Sequence, residues 1–218
     1  MPRKIFDSHL EELHVDLLRM GSMTEKQLFQ SVEALVNQDE ELAKKVIDND
    51  DIVDDMQKDI ENKAIRLIAL QNPLAIDLRN IFTTTKIVTD LERMADHAVD
   101  IAKVTKRLKN EKPIKPLLDI PKMASIVREM IRDSLDAYVN ADVDKAYEIC
   151  KKDDEVDCIY KQVFSDLLLM MMEDHKTINQ ATQYVLICKY LERIADHTTN
   201  ICESTIYLVT GEQIDLNE

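Results

Sequence analysis

Apolar residues recur at helical spacing along three runs in the first half of the chain, from about Ile5 to Asn37, Leu42 to Leu70 and Leu74 to Leu108. Each run exceeds an average globular helix, so three long helices are expected. The breaks are short. Asn37-Gln38-Asp39 offers a cap, and Asn72-Pro73 sets a capping Asn before a Pro suited to the first helical position. Helical spacing resumes from about Lys122 to Asn140, Val143 to Asp174 and Ile178 to Thr210, the last opened by Thr177-x-x-Gln180, which has the form of a capping box. Short loops make successive helices antiparallel neighbours. Between the two sets, "NEKPIKPLLDIP" at Asn110 to Pro121 gathers three prolines and changes composition, as a linker does.

The two halves repeat one another. "MGSMTEKQLFQSVEALVNQD" from Met20 lies over "MASIVREMIRDSLDAYVNAD" from Met123, and "NDDIVD" (49–54) lies over "KDDEVD" (152–157). After a small contraction, "DLERMADH" from Asp90 lies over "YLERIADH" from Tyr190. A duplicated three-helix unit explains this. The expected fold is all-α: two tandem three-helix bundles, six long antiparallel helices, related by an internal pseudo-two-fold. The first repeat spans 1–110, the linker 111–121 and the second repeat 122–218.

Composition agrees with long helices, since 218 residues include only 2 Gly, 5 Pro and no Trp. Acids outnumber bases by 42 to 28, a formal charge of −14, which argues against nucleic-acid binding and for cations or basic partner surfaces. No stretch reaches the ~20 apolar residues of a membrane span, and the first residues lack a signal-peptide core, so a cytoplasmic location is expected. Cys150, Cys158, Cys188 and Cys202 form no C-x-x-C pair and read as small apolar residues on helix faces. The run "LLLMMM" (167–172) reads as core, with an oligomer seam as the alternative. The basic run from Lys103 to Lys115 reads as a solvated helix end, with a lipid or transporter contact as the alternative.

The candidate chemistry lies in repeated carboxylates. Glu92, Asp96 and Asp100 stand at i, i+4 and i+8, stacked along one helix face beside the apolar stripe, and Asp50 and Asp54 repeat the spacing one helix earlier. The second unit offers Asp153 and Asp157, then Glu192, Asp196, Asn200 and, further along, Glu203. Uncompensated like charges at i, i+4 cost a few tenths of a kcal/mol per pair. The chain accepts that cost in both halves. Bound cations would compensate it, and oxygen-only donors suit Mg²⁺, Ca²⁺, Mn²⁺ or hard iron rather than structural zinc. Salt bridges from Arg79, Arg93 and Arg193, in a purely structural helical scaffold, would compensate it equally. His97 and His197 sit about 100° round the helix from their rows and are expected to cap, to lie at an interface or to support the row rather than ligate. A ferritin-like oxidase needs Glu-x-x-His from two helices, whereas only Glu11-x-x-His14 occurs, so that alternative is disfavoured. No glycine-rich phosphate loop and no nucleophile set points to an enzyme, and no catalytic residue is assigned.

At these residues the chain resembles the PhoU family of phosphate-uptake regulators. "FDSHLEELHVDLLRMG", "NPLAIDLR" (72–79) and the paired "DLERMADH" and "YLERIADHTTNICE" blocks carry the resemblance over nearly the whole length. It implies multinuclear metal clusters on the acidic faces, iron first, with zinc, manganese or magnesium as alternatives. Asp50, Asp54, Glu92, Asp96 and Asp100 would serve one cluster, and Asp153, Asp157, Glu192, Asp196, Asn200 and Glu203 the other. Asn200 stands where Asp100 does, so unequal occupancy is expected. The resemblance also implies a non-enzymatic cytoplasmic adaptor, homodimeric and associated with the membrane through its partners. Those partners are the ATPase and permease of the phosphate ABC transporter, which it restrains. A second partner, where one exists, is a phosphate-sensing histidine kinase, kept in its signalling-off state when phosphate is ample.

Overall fold

The structure, a computed structural model, describes residues 2–71, 73–109, 111–115 and 117–216. The first unit contains α1 (Pro2–Asn37), α2 (Glu40–Asp48), α3 (Asp50–Gln71) and α4 (Ala75–Leu108). The second contains α5 (Asp119–Asn140), α6 (Val143–Glu173), a 3₁₀ turn (His175–Thr177) and α7 (Ile178–Thr210). No strand occurs among the described residues, and no helix there is long and apolar enough to cross a membrane.

The first turn of each unit is built twice in the same way. Asp39 accepts a hydrogen bond from the backbone N of Leu42 at 2.9 Å, and Asp142 one from Lys145 at 3.0 Å. Gln38 and Ala141, just before these caps, both take positive φ, at 53° and 52°. The other helix starts differ from expectation. The helix expected at Pro73 begins at Ala75, where the Asp77 carboxylate accepts from the Leu74 backbone N at 3.0 Å; Asn72 lies outside the described residues. α5 begins at Asp119, ahead of the expected Lys122, with Pro121 in its first turn, where a missing N–H leaves no helical bond unmade. Thr177 makes no side-chain cap, and Gln180 faces the linker instead. Its Oε1 accepts from Ile114 N at 2.5 Å, and its Nε2 donates to Lys112 O at 3.1 Å.

The helix expected from Leu42 to Leu70 is broken at Asn49 into α2 and α3, whereas its duplicate α6 is continuous. Gln27, buried on α1, donates to the carbonyl at the break, Nε2 to Asn49 O at 3.2 Å, which also accepts from Ile52 N at 3.2 Å. The duplicate positions hold Met130 and Lys152. The first unit therefore pairs a break with a buried side-chain donor to it, and the second has neither.

α4 runs along α7 and α1 along α5, so the units meet over two long antiparallel seams, and one main hydrophobic core runs through both. Equivalent positions meet near the pseudo-two-fold. The His97 and His197 rings lie 6.0 Å apart, and Glu25 meets its counterpart Arg128, Nε donating to Oε1 at 2.6 Å. Duplication has let a site where like would meet like become a charge pair. Of "LLLMMM", Leu167 is fully buried while Leu168, Leu169 and Met172 are exposed, because a 3.6-residue period cannot turn six successive side chains inward.

Candidate functional site

The acidic rows assemble in pairs. α3 begins immediately beyond the break at Asn49, which puts Asp50 and Asp54 on its first turns, facing Glu92 and Asp96 on α4. Asp50 is raised from the ordinary carboxylate range by burial first, then by the charges of Asp96 and Asp54, while Lys103 opposes the shift. Glu92 is raised by burial and then by Asp96, with smaller contributions from Asp54 and Asp50 and with Arg93 opposing. Four carboxylates thus feel one another across two helices. In the second unit Asp153 is pushed up to about 7 by burial, then by Asp196, Asp157 and Glu192. Asp196 is raised by burial and by Glu192, against Lys189.

Basic residues cover the outer edges. Arg93 donates from Nη1 to Asp96 Oδ2 at 3.2 Å, and Lys103 to Asp100 at 3.1 Å. Lys189 donates to Glu192 Oε1 at 2.5 Å and Lys161 to Asp157 at 3.0 Å. Of the three arginines considered from the sequence, Arg93 takes this part. Arg79 instead sits at the C-terminal end of α7, 3.5 Å from the Leu208 carbonyl and over the Tyr207 ring. The inner side is less satisfied: Asp153 Oδ1, Glu92 Oε2 and Glu192 Oε2 are buried without a hydrogen bond. Arg93 Nε lies 3.4 Å from that Glu92 oxygen as an ion pair only. Among the described residues no group of three or more His, Cys, Asp or Glu side chains already stands in metal-holding geometry. Glu92, Asp96, Asp100, Asp157 and Glu192 pair with their lysines and arginine instead.

Asn200 and Glu203 are not brought into the second four-carboxylate patch. Asn200 Nδ2 donates to Asp90 Oδ1 at 3.1 Å, an oxygen shared with His197 Nδ1 at 2.9 Å. Glu203 accepts from the backbone N of Leu216 at 2.7 Å. Both line a polar recess of about 390 Å³ with Lys86, Asp90 and Tyr207. Asp100 stays with Lys103 at the edge of the first patch. The histidines belong to the seam between units, since His97 stacks on Tyr190 at 5.6 Å and His197 pairs with Asp90. His14 of the lone Glu-x-x-His pairs with Asn80 at 2.9 Å, in a network with Tyr138 and Thr84. Asp90 is the polar seam residue that sequence reasoning missed. Its duplicate is Tyr190, so repetition gave no signal for it; its place at the head of the repeated block was the available clue.

This architecture defines a class: a tandemly duplicated helical-bundle protein with a paired acidic face in each repeat. The PhoU domain family model matches it twice, at residues 17–105 and 120–205, and the chain belongs to the PhoU family. A phosphate-specific transport system accessory protein PhoU homolog of Clostridium acetobutylicum is 63% identical, over 100% of both chains. One from Zymomonas mobilis is 41% identical, covering 97% of this chain and 89% of its own. The crystal structure of the phosphate transport system regulatory protein PhoU from Streptococcus pneumoniae superposes with a TM-score of 0.90 at 34% identity, over 96% of this chain and 99% of that one. PhoU from Pseudomonas aeruginosa gives 0.91 at 35%, over 95% and 100%.

Proposed function

We propose that this chain is a regulatory adaptor of phosphate uptake whose two acidic faces hold multinuclear metal clusters. The regulatory part rests on the family and on the naming of its relatives as accessory proteins of the phosphate-specific transport system. In this reading the chain works in the cytoplasm as a homodimer, restrains the transporter's ATPase and permease and, through a sensor kinase where one exists, phosphate-starvation signalling. It performs no catalysis.

The observation that carries the metal part is the set of three buried carboxylate oxygens that accept no hydrogen bond, Glu92 Oε2, Asp153 Oδ1 and Glu192 Oε2, of which only Asp153 Oδ1 also lacks an ion pair. A buried acceptor without a partner costs about 1 to 3 kcal/mol, and more when charged. A multivalent cation shared by Asp50, Asp54, Glu92 and Asp96, with Asp100 at the edge, removes that cost in the first unit. Asp153, Asp157, Glu192 and Asp196 do the same in the second. Asn200 and Glu203 join the second cluster only by leaving Asp90 and Leu216. All-oxygen donors favour hard ions such as magnesium, calcium, manganese or hard iron over structural zinc, and the family resemblance is what puts iron first, with zinc, manganese or magnesium as alternatives. Bound metal supplies fixed positive charge that ties α3 to α4 and α6 to α7.

Elemental analysis of protein purified without chelator is expected to find more than one metal per chain, and Glu92→Gln/Asp96→Asn to lose the first unit's share. A metal-free protein unaffected by that double substitution removes the cluster from the reading. Deleting the gene is expected to abolish phosphate-dependent control of uptake. Uptake that responds to phosphate as before removes the adaptor.

A further inference from the structure

The stretch from Asn62 to Thr89 runs against the charge of the chain. It carries four bases, Lys63, Arg66, Arg79 and Lys86, against one acid, Asp77, in a protein of formal charge −14. Asp77 is buried and its carboxylate accepts from the Leu74 backbone N, so that acid is spent on starting α4. The same stretch contains the tip of the α3–α4 hairpin, which sets large aliphatic side chains in solvent: Leu70 is 76% exposed, Leu74 65% and Ile76 63%. Behind them Ile65, Ile68, Leu78 and Phe82 are exposed as well, and with Arg79 they line an apolar cleft of about 650 Å³.

We propose that this tip enters the headgroup region of a membrane containing anionic lipid, with Leu70, Leu74 and Ile76 immersed and Arg66 and Arg79 on lipid phosphate. Direction separates a bilayer from a partner helix. At ~100° per residue, Ile65 and Leu70 stand about 140° apart round α3, and Ile76 and Leu78 about 160° apart round α4. A docked helix needs its apolar contacts gathered in one stripe, whereas lipid surrounds a tip from every side. Depth agrees with charge. At 1.5 Å per residue Arg66 lies about 8 Å behind the end of α3 and Arg79 about 6 Å behind the start of α4, the level of phosphate for a tip immersed by ~5–10 Å. Lys63 pairs with Asp16, and Lys86 lies over the Phe82 ring further back. Glu12 shares a recess with Leu70, Lys63 and Arg66, so even there the bases outnumber the acid. An anionic surface attracts this tip and repels the rest of an acidic chain, which orients the approach.

The duplicate tip supplies the comparison. Between α6 and α7, Leu169 and Met172 are also exposed, Met172 to 71%, yet the turn there carries Glu173 and Asp174 ahead of Lys176. Acids set among its apolar side chains deny that tip the attraction of the first. α4 and α7 run antiparallel, Arg79 meeting Leu208 and Arg107 meeting Gln183, so the two tips lie at opposite ends of the molecule. Contact by the first leaves the second in solvent. Direct lipid contact goes beyond the regulatory reading and needs neither metal nor transporter.

The test uses the full chain, which has no Trp, so that Leu74→Trp supplies one indole at this tip and Met172→Trp one at the other. Each is mixed with vesicles of equal parts phosphatidylglycerol and phosphatidylcholine, or of phosphatidylcholine alone, and followed by flotation and fluorescence. The expected result is flotation with the anionic vesicles only, weakened by salt. Leu74→Trp emission is then shifted to the blue and quenched by acyl-chain bromine, while that of Met172→Trp stays unchanged. Leu70→Ser/Leu74→Ser is expected to lower the partition more than about tenfold and Arg66→Gln about fivefold, with helical circular dichroism kept. Absence of flotation with anionic vesicles overturns the proposal, as does flotation that leaves the Leu74→Trp emission unmoved or shifts that of Met172→Trp equally. So does an acidic amphipathic peptide that shifts the Leu74→Trp emission where vesicles do not, which assigns the tip to a partner helix.

Discussion

Asp153 concentrates the electrostatics of the second face, because burial and four neighbouring carboxylates move its titration to about 7 from an ordinary 3.8. A carboxyl raised in the folded chain binds its proton more tightly there than when unfolded, so its stabilising contribution is complete below the unfolded value and is lost as pH rises through the folded one. Chelator-treated protein is therefore expected to lose Tm steadily between about pH 4 and pH 7, with Asp153→Asn flattening the decline; thermal melts across that range check both. The spacing of Asp153 and Asp157, and of Glu192 and Asp196, was readable in the chain. What spacing could not supply was direction: Asn200 continues the same row, yet its side chain turns across the seam to Asp90.

Helices were readable wherever apolar period and capping chemistry agreed, as at Asp39 and Asp142. They were misread where a tertiary contact outweighed local chemistry: Gln180 gave up a capping box to hold the linker, and Gln27 stabilised a break inside an otherwise continuous helical pattern. The α1–α5 seam shows the same dependence on partners. A Cβ at Gly21 would lie 2.3 Å from Leu135 Cδ1, whereas the duplicate positions, Ala124 and Val32, line one recess with a larger residue against a smaller one. Gly21→Ala gains about 1 kcal/mol of helix propensity but faces an overpacking cost of roughly 1 to 3. The expected net is a loss. Adding Leu135→Val, which copies the duplicate's pairing, is expected to recover most of it, so a double-mutant cycle by urea unfolding should give a favourable coupling.

At the scale of the molecule the two repeats share one core, which includes Leu17 and Ile87 from the first unit together with Met130 and Ile187 from the second. Neither repeat can be removed without exposing apolar surface of the other. Thermal or urea unfolding of the whole chain is therefore expected as a single transition, with circular dichroism and tyrosine fluorescence coinciding; two separated transitions would show independently stable halves. The sequence by itself determined the helical class, the duplication, the family and the identity of the acidic rows, because these follow from short-range period and from repetition, which a linear reading preserves. Only the tertiary structure decided the break at Asn49 and the turning of Asn200 and Glu203 away from the second patch. Each of these depends on which side chain a different helix brings within reach, and that distance is set by packing rather than by position along the chain.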